Sequence, residues 1–218
     1  MILFEQVLRK ALSLDLPYEG RAQSVHLDPS KKLASVLMLL GWSNETKFSS
    51  ELHPDQRNCR PLLLFIKRTE RSNDSHGGQM AFPGGKCEWD EIQNNQLDKT
   101  ALRETEEEVG IPPHQISLLG RLPLVSTMTG FDVSPFVGVL KSKVEDNPLL
   151  VNSQEIDEAI WIPWEVLLEP KIYQKEMFQI GAVRYPIHVF QVGKYRIWGA
   201  TGSMLKNLID RCSIVMNH

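Results

Sequence analysis

Residues 84–111 read GGKCEWDEIQNNQLDKTALRETEEEVGI, a stretch that combines a glycine turn, a group of acidic residues and a helix stop. Its second half, Leu97–Val109, contains neither glycine nor proline, so the sequence predicts a helix there. Gly110 occupies the position of a left-handed C-terminal cap, and Pro112 and Pro113 prevent the helix from continuing. We expect the rest of the chain to be organised around this helix and the turn before it.

Three glutamates occupy one face of the predicted helix. Glu104, Glu107 and Glu108 stand at positions i, i+3 and i+4, so their carboxylates project in the same direction. Like charges at this spacing destabilise a bare helix by roughly 0.2–0.5 kcal/mol per pair, and a bound cation offsets that cost. Hard oxygen ligands favour magnesium or manganese. A solvated acidic face is the alternative, but it needs neither a Gly-Gly turn before the helix nor an arginine directly before the acids.

This stretch resembles the signature of the Nudix hydrolases, in which Gly, five residues, Glu and seven residues precede Arg-Glu-U-x-Glu-Glu-x-Gly-U, with U apolar. The matching residues are Gly85, Glu91, Arg103, Glu104, Glu107, Glu108, Gly110 and Ile111. Thr105 replaces an aliphatic residue, and eleven rather than seven residues separate Glu91 from Arg103. Glu88, Asp90 or Glu91 can therefore fill the place of the early acid, and the spacing from the glycine turn favours Glu91.

The resemblance implies a fold, a cofactor and a set of residue roles. The implied fold is α/β, a Nudix-type α/β/α sandwich with a mixed sheet, and the implied cofactor is Mg2+ or Mn2+. Arg103 is expected to orient an acid through a charge-assisted hydrogen bond. Glu155, in a later loop, or one of the glutamates of the signature is the expected base. The expected metal ligands are Gly85 through its carbonyl group, Glu91, Glu104, Glu107 and Glu108.

Residues 68–85, RTERSNDSHGGQMAFPGG, carry a second resemblance, to the coenzyme A diphosphatase branch of the Nudix family. That branch has the pattern His-x-Gly-Gln/Glu-apolar-Ala/Ser-Phe-Pro-Gly-Gly, which is matched here over residues 76–85. Near the C-terminus, residues 196–201, RIWGAT, match its Ile-Trp-Gly-x-Thr. The resemblance implies that the residues contacting substrate include Arg68, His76, Gln79 and Phe82.

These motifs predict a magnesium-dependent hydrolase that cleaves the diphosphate of a nucleoside diphosphate linked to another group. We expect coenzyme A or its derivatives as the substrate, giving 3′,5′-ADP and 4′-phosphopantetheine. Phosphorus–oxygen cleavage needs a cation to neutralise the diphosphate, an activated water and a positioned base. An ADP-ribose or nucleoside diphosphate sugar pyrophosphatase is the alternative with the same chemistry. A non-catalytic nucleotide-sensing module is the alternative of another class.

Apolar patterns predict the remaining elements. Four apolar runs predict strands, at 32–42, 60–68, 117–125 and 131–141. Residues 2–14 show the apolar spacing of an amphipathic helix, and residues 186–216 predict a strand pair followed by a helix. Residues 43–59 are expected to form a loop. Mixed strands with helices on each side imply an α/β/α sandwich. We divide the chain into an N-terminal helix with a connecting segment, 1–30, and a Nudix hydrolase domain, 31–218.

The composition is that of an ordinary globular protein, with 218 residues of which 42% are hydrophobic and 23% charged. A net charge of −3 gives no electrostatic reason to expect nucleic acid or a membrane as partner, so we expect a small-molecule nucleotide diphosphate. Three cysteines without CxxC spacing argue against a disulfide framework or a zinc site. The sequence shows no signal peptide or transmembrane run, which predicts a cytoplasmic protein. The N-terminal helix is expected to pack on its own domain, with a second subunit of a homodimer as the alternative.

Overall fold

The computed structural model describes residues 2–16, 30–43, 60–70, 77–180 and 183–217. The helices of this part of the chain are α1 (Ile2–Leu12), α2 (Trp89–Gln93), α3 (Leu97–Val109), α4 (Trp164–Leu167) and α5 (Gly199–Met216). Its strands are β1 (Lys32–Ser43), β2 (Arg60–Arg68), β3 (Met80–Ala81), β4 (Gly84–Lys86), β5 (Ile116–Arg121), β6 (Val125–Ser126), β7 (Phe131–Leu140), β8 (Ile156–Pro163), β9 (Tyr173–Ile180), β10 (Val183–Val192) and β11 (Tyr195–Ile197).

The main sheet is mixed and is built around β1. Its strand order is β3-β2-β1-β7-β5, with β4 paired to β1, β6 to β7 and β8 to β2. β7 runs parallel to β1, whereas β2 and β4 are antiparallel to it. β2 pairs with the end of β1, from Leu40 to Ser43. Near the start of β1, at Ala34, Ser35 and Val36, the partner strand is β4 instead of β2. β1 and β2 therefore separate towards the start of β1, where the sheet is split. The short strands β3 and β4 pair with β2 and β1 in this region.

Helices cover both faces of this sheet. Successive strand residues point to opposite faces, so each long strand supplies two cores. On one face, Leu37 and Leu39 of β1 and Ile66 of β2 pack with Ala101 and Val109 of α3. The other face packs against α1 and α5 through a core that includes Leu8, Met38, Leu40, Leu63, Phe65, Leu205 and Leu208. This arrangement confirms the predicted α/β/α sandwich with a mixed sheet.

A second sheet of three antiparallel strands, β9, β10 and β11, accompanies the main sheet. The predicted strand pair near the C-terminus corresponds to β10 and β11, whereas the sequence pattern gave no prediction for β9. Lys194, directly before β11, and Tyr195, the first residue of β11, attach this sheet to β8 of the main sheet. The Lys194 Nζ and the Tyr195 hydroxyl both donate hydrogen bonds to the Glu158 carboxylate. The second sheet is thus held close to the end of β2, because Lys67 pairs with Glu158 in the main sheet.

The N-terminal helix is part of the core of its own domain. Leu8 and Ala11 of α1 are fully buried, and α1 packs against α5 and β5. Arg211 of α5 is 1% exposed, although it is charged. Its guanidinium donates hydrogen bonds to four oxygen atoms at the end of α1 and on α5, which are the carbonyls of Ala11, Leu14 and Leu16 and the side-chain amide of Asn207. This cation therefore binds carbonyl groups at the end of α1 and in the residues directly after it, and so ties this part of the chain to α5.

Most predicted strands agree with the structure within a few residues, but the run at 117–125 is divided between β5 and β6. The predicted loop, apart from Ser43, lies outside the described residues, as does most of the connecting segment before β1. Within the described part of the chain, no helix is both long enough and apolar enough to span a membrane.

Candidate metal and catalytic site

The turn formed by Gly84 and Gly85 lies directly against helix α3. A Cβ atom on Gly84 would overlap the carbonyl oxygen of Ser35, which lies on the paired strand β1. A Cβ atom on Gly85 would lie 2.5 Å from each carboxylate oxygen of Glu104. Gly84 requires glycine because backbone atoms lie in the way of a side chain, whereas a Cβ atom on Gly85 would have to displace the end of the flexible Glu104 side chain. The turn thus brings the backbone of Gly85 against the carboxylate of Glu104.

Glu108 is the most deeply buried acid of the site, with 3% of its surface exposed. The backbone N–H of Gly84 donates a hydrogen bond of 3.0 Å to Glu108 Oε2. Burial raises the pKa of the Glu108 carboxyl from 4.5 to about 8, and the charge of Glu104 acts in the same direction. The Gly84 hydrogen bond and the charge of Arg68 partly oppose this rise. A nearby cation would favour the ionised form of such a carboxyl group.

Glu104 and Glu107 differ in their exposure to solvent. The Glu104 side chain is 15% exposed, whereas that of Glu107 is 52% exposed. Burial raises the pKa of the Glu104 carboxyl, the charge and hydrogen bond of Arg103 oppose this, and the charges of Glu107 and Glu155 add to it. The interaction among these carboxylates shows that the structure brings the predicted acids together at one end of α3.

Arg103 forms the centre of an ion-pair network with three of these acids. Its Nη1 donates to Glu104 Oε1 at 2.9 Å and to Glu107 Oε2 at 3.1 Å, and its Nε donates to Glu91 Oε1 at 3.3 Å. Burial lowers the pKa of Arg103, but the hydrogen bonds and charges of Glu91 and Glu104 outweigh it and raise the pKa overall. Arg103 therefore remains charged and pairs with three acids of the site, while its role in orienting them for the reaction stays a prediction.

Glu91 makes contacts that differ from those of a metal ligand. The four extra residues of the signature allow the short helix α2, and Glu91 on α2 is 6% exposed. Its Oε2 accepts hydrogen bonds from the Glu88 N–H at 2.8 Å and from the Thr100 hydroxyl at 2.6 Å, while its Oε1 accepts from Arg103. Burial raises the pKa of Glu91, but these hydrogen bonds and the Arg103 charge lower it overall.

The expected metal-ligand role of Glu91 stays a prediction, and the contacts that the structure gives this residue point to a second, structural role. Both carboxylate oxygens accept hydrogen bonds from protein donors, so we interpret Glu91 as a residue that joins α2 to α3 and contacts Arg103. Thr100, which donates to Glu91 and is fully buried, was absent from the predicted site. Its position at the start of α3 gave no sequence signal, since the contact depends on how α2 folds back.

Glu155 lies at the same end of the sheet, as predicted for an acid from a later loop. It precedes β8, is exposed, and its carbonyl oxygen accepts a hydrogen bond of 3.1 Å from the Thr69 N–H at the end of β2. Its negative charge raises the pKa of both the Glu104 and Glu108 carboxyl groups. The charge of Glu155 therefore acts on the acids of α3.

The residues predicted to contact substrate have different surroundings. The Arg68 N–H donates to the Gln79 carbonyl at 3.0 Å, which places both residues where β2 ends beside the glycine turn. Phe82 is 1% exposed, and its ring stacks on that of Phe65 with centroids 4.9 Å apart. Its predicted substrate contact is corrected because the ring belongs to the hydrophobic core. His76 lies outside the described residues.

The carboxylate oxygens of the site are of the kind that binds a divalent cation, although they are not arranged around one point. Within residues 2–16, 30–43, 60–70, 77–180 and 183–217, no three Asp, Glu, His or Cys side chains are arranged to hold an ion as they stand. Glu104 and Glu107 instead share Arg103 Nη1 as a hydrogen-bond donor. Carboxylate oxygens next to a backbone turn are nevertheless the hard ligands that Mg2+ and Mn2+ favour. We conclude that the donor set fits such an ion.

Fold and side chains together define an α/β protein in which an acidic helix meets a glycine turn at the split end of a mixed sheet. Comparison with protein families matches residues 52–180 to the NUDIX domain. A Yersinia enterocolitica protein named Nudix hydrolase NudL is 33% identical over 159 residues, which cover 72% of this chain and 77% of that one. The Yersinia pestis protein of the same name is 32% identical over 158 residues, which cover 72% and 76%.

The chain belongs to the Nudix hydrolase family, whose members act on nucleoside diphosphate derivatives and generally use a divalent metal ion such as Mg2+. The domain match and the relatives from Yersinia establish this family. A crystal structure of a MutT/nudix family protein from Enterococcus faecalis is also similar, with a TM-score of 0.48 and 15% identity, over 89% of this chain and 66% of that one.

Proposed function

We propose that this Nudix hydrolase cleaves the diphosphate of coenzyme A or its derivatives to 3′,5′-ADP and 4′-phosphopantetheine in a magnesium-dependent reaction. One observation carries the proposal. The motif at 68–85, which resembles the coenzyme A diphosphatase branch, ends in the glycine turn that contacts Glu104 and Glu108 of α3. The residues of the substrate motif therefore lead directly into the acidic site.

Three carboxylates and one carbonyl group would hold the cation, namely those of Glu104, Glu107, Glu108 and Gly85. A magnesium ion bound there supplies the positive charge that neutralises the diphosphate and favours attack by water. Arg103 holds the Glu104 and Glu107 carboxylates side by side, which pre-orients two of these ligands. Arg68, whose charge already acts on Glu108, lies at the end of β2, where it can pair with a phosphate group.

Glu155 is the acid best suited to take the proton from the attacking water. Glu108 is almost fully buried and its carboxylate accepts a hydrogen bond from Gly84, whereas Glu155 is exposed and can pass a proton to solvent. Glu91 is less suited to act as the base, because it is buried and its carboxylate already accepts three hydrogen bonds from protein donors. We therefore assign the ligand role to the acids of α3 and the role of general base to Glu155.

The proposal is tested by comparing specificity constants for coenzyme A, ADP-ribose and a nucleoside diphosphate sugar in the presence of Mg2+. We expect the highest kcat/KM for coenzyme A and no turnover when EDTA replaces the metal ion. A higher value for ADP-ribose or a sugar nucleotide would reject the proposed substrate while leaving the chemistry intact. Binding of these compounds without hydrolysis would instead support the nucleotide-sensing alternative.

A further inference from the structure

The loop that carries Glu155 also closes the C-terminal end of helix α3. The Leu150 N–H donates to the Val109 carbonyl at 2.9 Å, and the Asn152 N–H donates to the Glu108 carbonyl at 3.0 Å. The last carbonyl groups of a helix have no partner within the helix, so they require donors from elsewhere. The loop at 150–155 supplies two such donors, which fixes it to the helix that presents the acids of the site.

Within this loop, the backbone of Asn152 contacts both helix α3 and Glu155. Its N–H binds Glu108, while its carbonyl oxygen accepts hydrogen bonds of 3.0 Å from the N–H groups of both Glu155 and Ile156. Its side-chain Oδ1 also accepts from the Gln154 N–H at 3.2 Å, which forms the local turn that asparagine and aspartate favour. The side chain thus fixes the backbone between the contact with α3 and the contact with Glu155.

Glu155 is held from its other side by the main sheet. Its carbonyl oxygen accepts from the Thr69 N–H at 3.1 Å, directly after Arg68 on β2. The backbone of Glu155 therefore lies between two fixed elements, β2 and α3. Of the loop side chains, that of Asn152 makes the turn leading into this position.

We propose that Asn152 is a positioning residue for the hydrolytic reaction, because it joins the end of α3 to the backbone of Glu155 and so fixes the position of Glu155 relative to the acids of α3. The inference rests on the proposed role of Glu155 as the base in diphosphate hydrolysis. It predicts that the Asn152 side chain affects the rate of the chemical step through Glu155 and has little effect on substrate binding.

The test is a double-mutant cycle of Asn152→Ala and Glu155→Gln, measured as kcat and KM for coenzyme A with Mg2+. Loss of one hydrogen bond within the turn is expected to lower kcat about threefold to tenfold, with KM unchanged. Asn152→Asp keeps the side-chain acceptor and is expected to retain the wild-type kcat. Ser153→Ala, a truncation at the next and exposed position of the same loop, is the matched control and should also leave kcat unchanged. In the Glu155→Gln background, Asn152→Ala should cause no further loss.

Three results would overturn the proposal. One is an equal loss of kcat from Asn152→Ala in both backgrounds, which would show that it does not act through Glu155. Another is an Asn152→Asp variant as slow as the alanine variant, and the third is an alanine variant that no longer folds. If wild type cleaves ADP-ribose and leaves coenzyme A intact, the proposed substrate is wrong, and the same cycle on ADP-ribose still decides the role of Asn152. If it cleaves neither, both proposals are rejected.

Discussion

Gly85 leaves no space for a side chain, and the atoms it would displace are the carboxylate oxygens of Glu104. Because that carboxylate is the end of a flexible side chain, Gly85→Ala should push it aside without unfolding the protein. A displacement of about 1 Å is enough to lower kcat/KM by about 100-fold in a positioned site. We therefore expect a thermal melt like that of wild type together with a loss of turnover of this size.

Gly120→Ala is the matched control for this substitution. A Cβ atom there would lie 3.3 Å from a methyl group of Leu12, far from the acids. It should leave kcat/KM within about twofold of wild type, because the half-buried Gly120 faces Leu12 of α1 and not the acids of α3. Comparable losses in both variants, or full activity of Gly85→Ala, would contradict the proposed contact between the turn and the Glu104 carboxylate.

Glu108 makes the stability of the metal-free protein depend on pH. Its pKa is raised from 4.5 to about 8 in the folded protein, so between these values the native state keeps a proton that the unfolded chain has lost. The free energy of unfolding should therefore fall as pH rises through this window, by up to about 1.4 kcal/mol per pH unit. Glu108→Gln cannot titrate, so its stability should fall less steeply.

Denaturant unfolding of wild type and Glu108→Gln in EDTA, at several pH values from 5 to 8, measures this difference. The variant should gain stability relative to wild type as pH increases. Parallel curves for the two proteins would mean that the Glu108 carboxyl is not protonated in the native state at neutral pH.

Glu91 and Phe82 show which residue roles the sequence could not supply. The spacing from Gly85 favoured Glu91 among the three candidate acids, but its contacts with Thr100 and Arg103 depend on the fold of α2 and could not be read from the spacing. Phe82 lies within a motif that resembles a substrate-binding segment, and alternation along the chain turns its ring into the core beside Phe65. A motif identifies residue types, whereas their direction depends on the strands around them.

At the scale of elements, the helix at the centre of the site was predicted to its boundaries. The structure has α3 at Leu97–Val109 and Gly110 as a left-handed cap with φ of 75°, because the stop signals are local and strong. α2 has five residues, too few for a periodic pattern, and depends on the contact with Thr100. β9 lacks a buried alternating face, since Met177 at its middle is 61% exposed, so its apolar pattern was too weak to predict a strand.

The buried guanidinium group of Arg211 on α5 holds the end of helix α1 and the residues after it. Arg211→Met should remove the hydrogen bonds to the carbonyls of Ala11, Leu14 and Leu16 while keeping an apolar side chain of similar length. Hydrogen bonds to a charged group contribute about 1.5–3 kcal/mol, so we expect a loss of unfolding free energy of at least this size. Denaturant unfolding measures this loss.

Asp210→Asn on the same helix is the control for Arg211→Met. Asp210 pairs with Lys206 one turn away, and its side chain is 48% exposed. An exposed pair of this kind contributes less than about 1 kcal/mol. If Arg211→Met is no less stable than Asp210→Asn, the cation does not hold α1 on the domain.

For the whole molecule, the sequence predicted the family and the sandwich because the signature and the strand patterns are local. The second sheet was not predicted as a unit, since its attachment through Tyr195 and Glu158 joins residues far apart in the chain. The boundary between 1–30 and 31–218 stays a prediction, as do cytoplasmic location, the absence of nucleic-acid and membrane partners, and the homodimer alternative. The packing of α1 in the core nevertheless favours one structural unit that includes the N-terminal helix.

The central claim is that the acids of α3 and the glycine turn form a magnesium-dependent site that hydrolyses a nucleoside diphosphate derivative. Chromatographic analysis of coenzyme A after incubation with the wild-type protein tests it most directly, with Mg2+ in one sample and EDTA in the other. We predict equal amounts of 3′,5′-ADP and 4′-phosphopantetheine with Mg2+ and intact coenzyme A with EDTA. Coenzyme A, ADP-ribose and nucleoside diphosphate sugars that all remain intact with both Mg2+ and Mn2+ would contradict it.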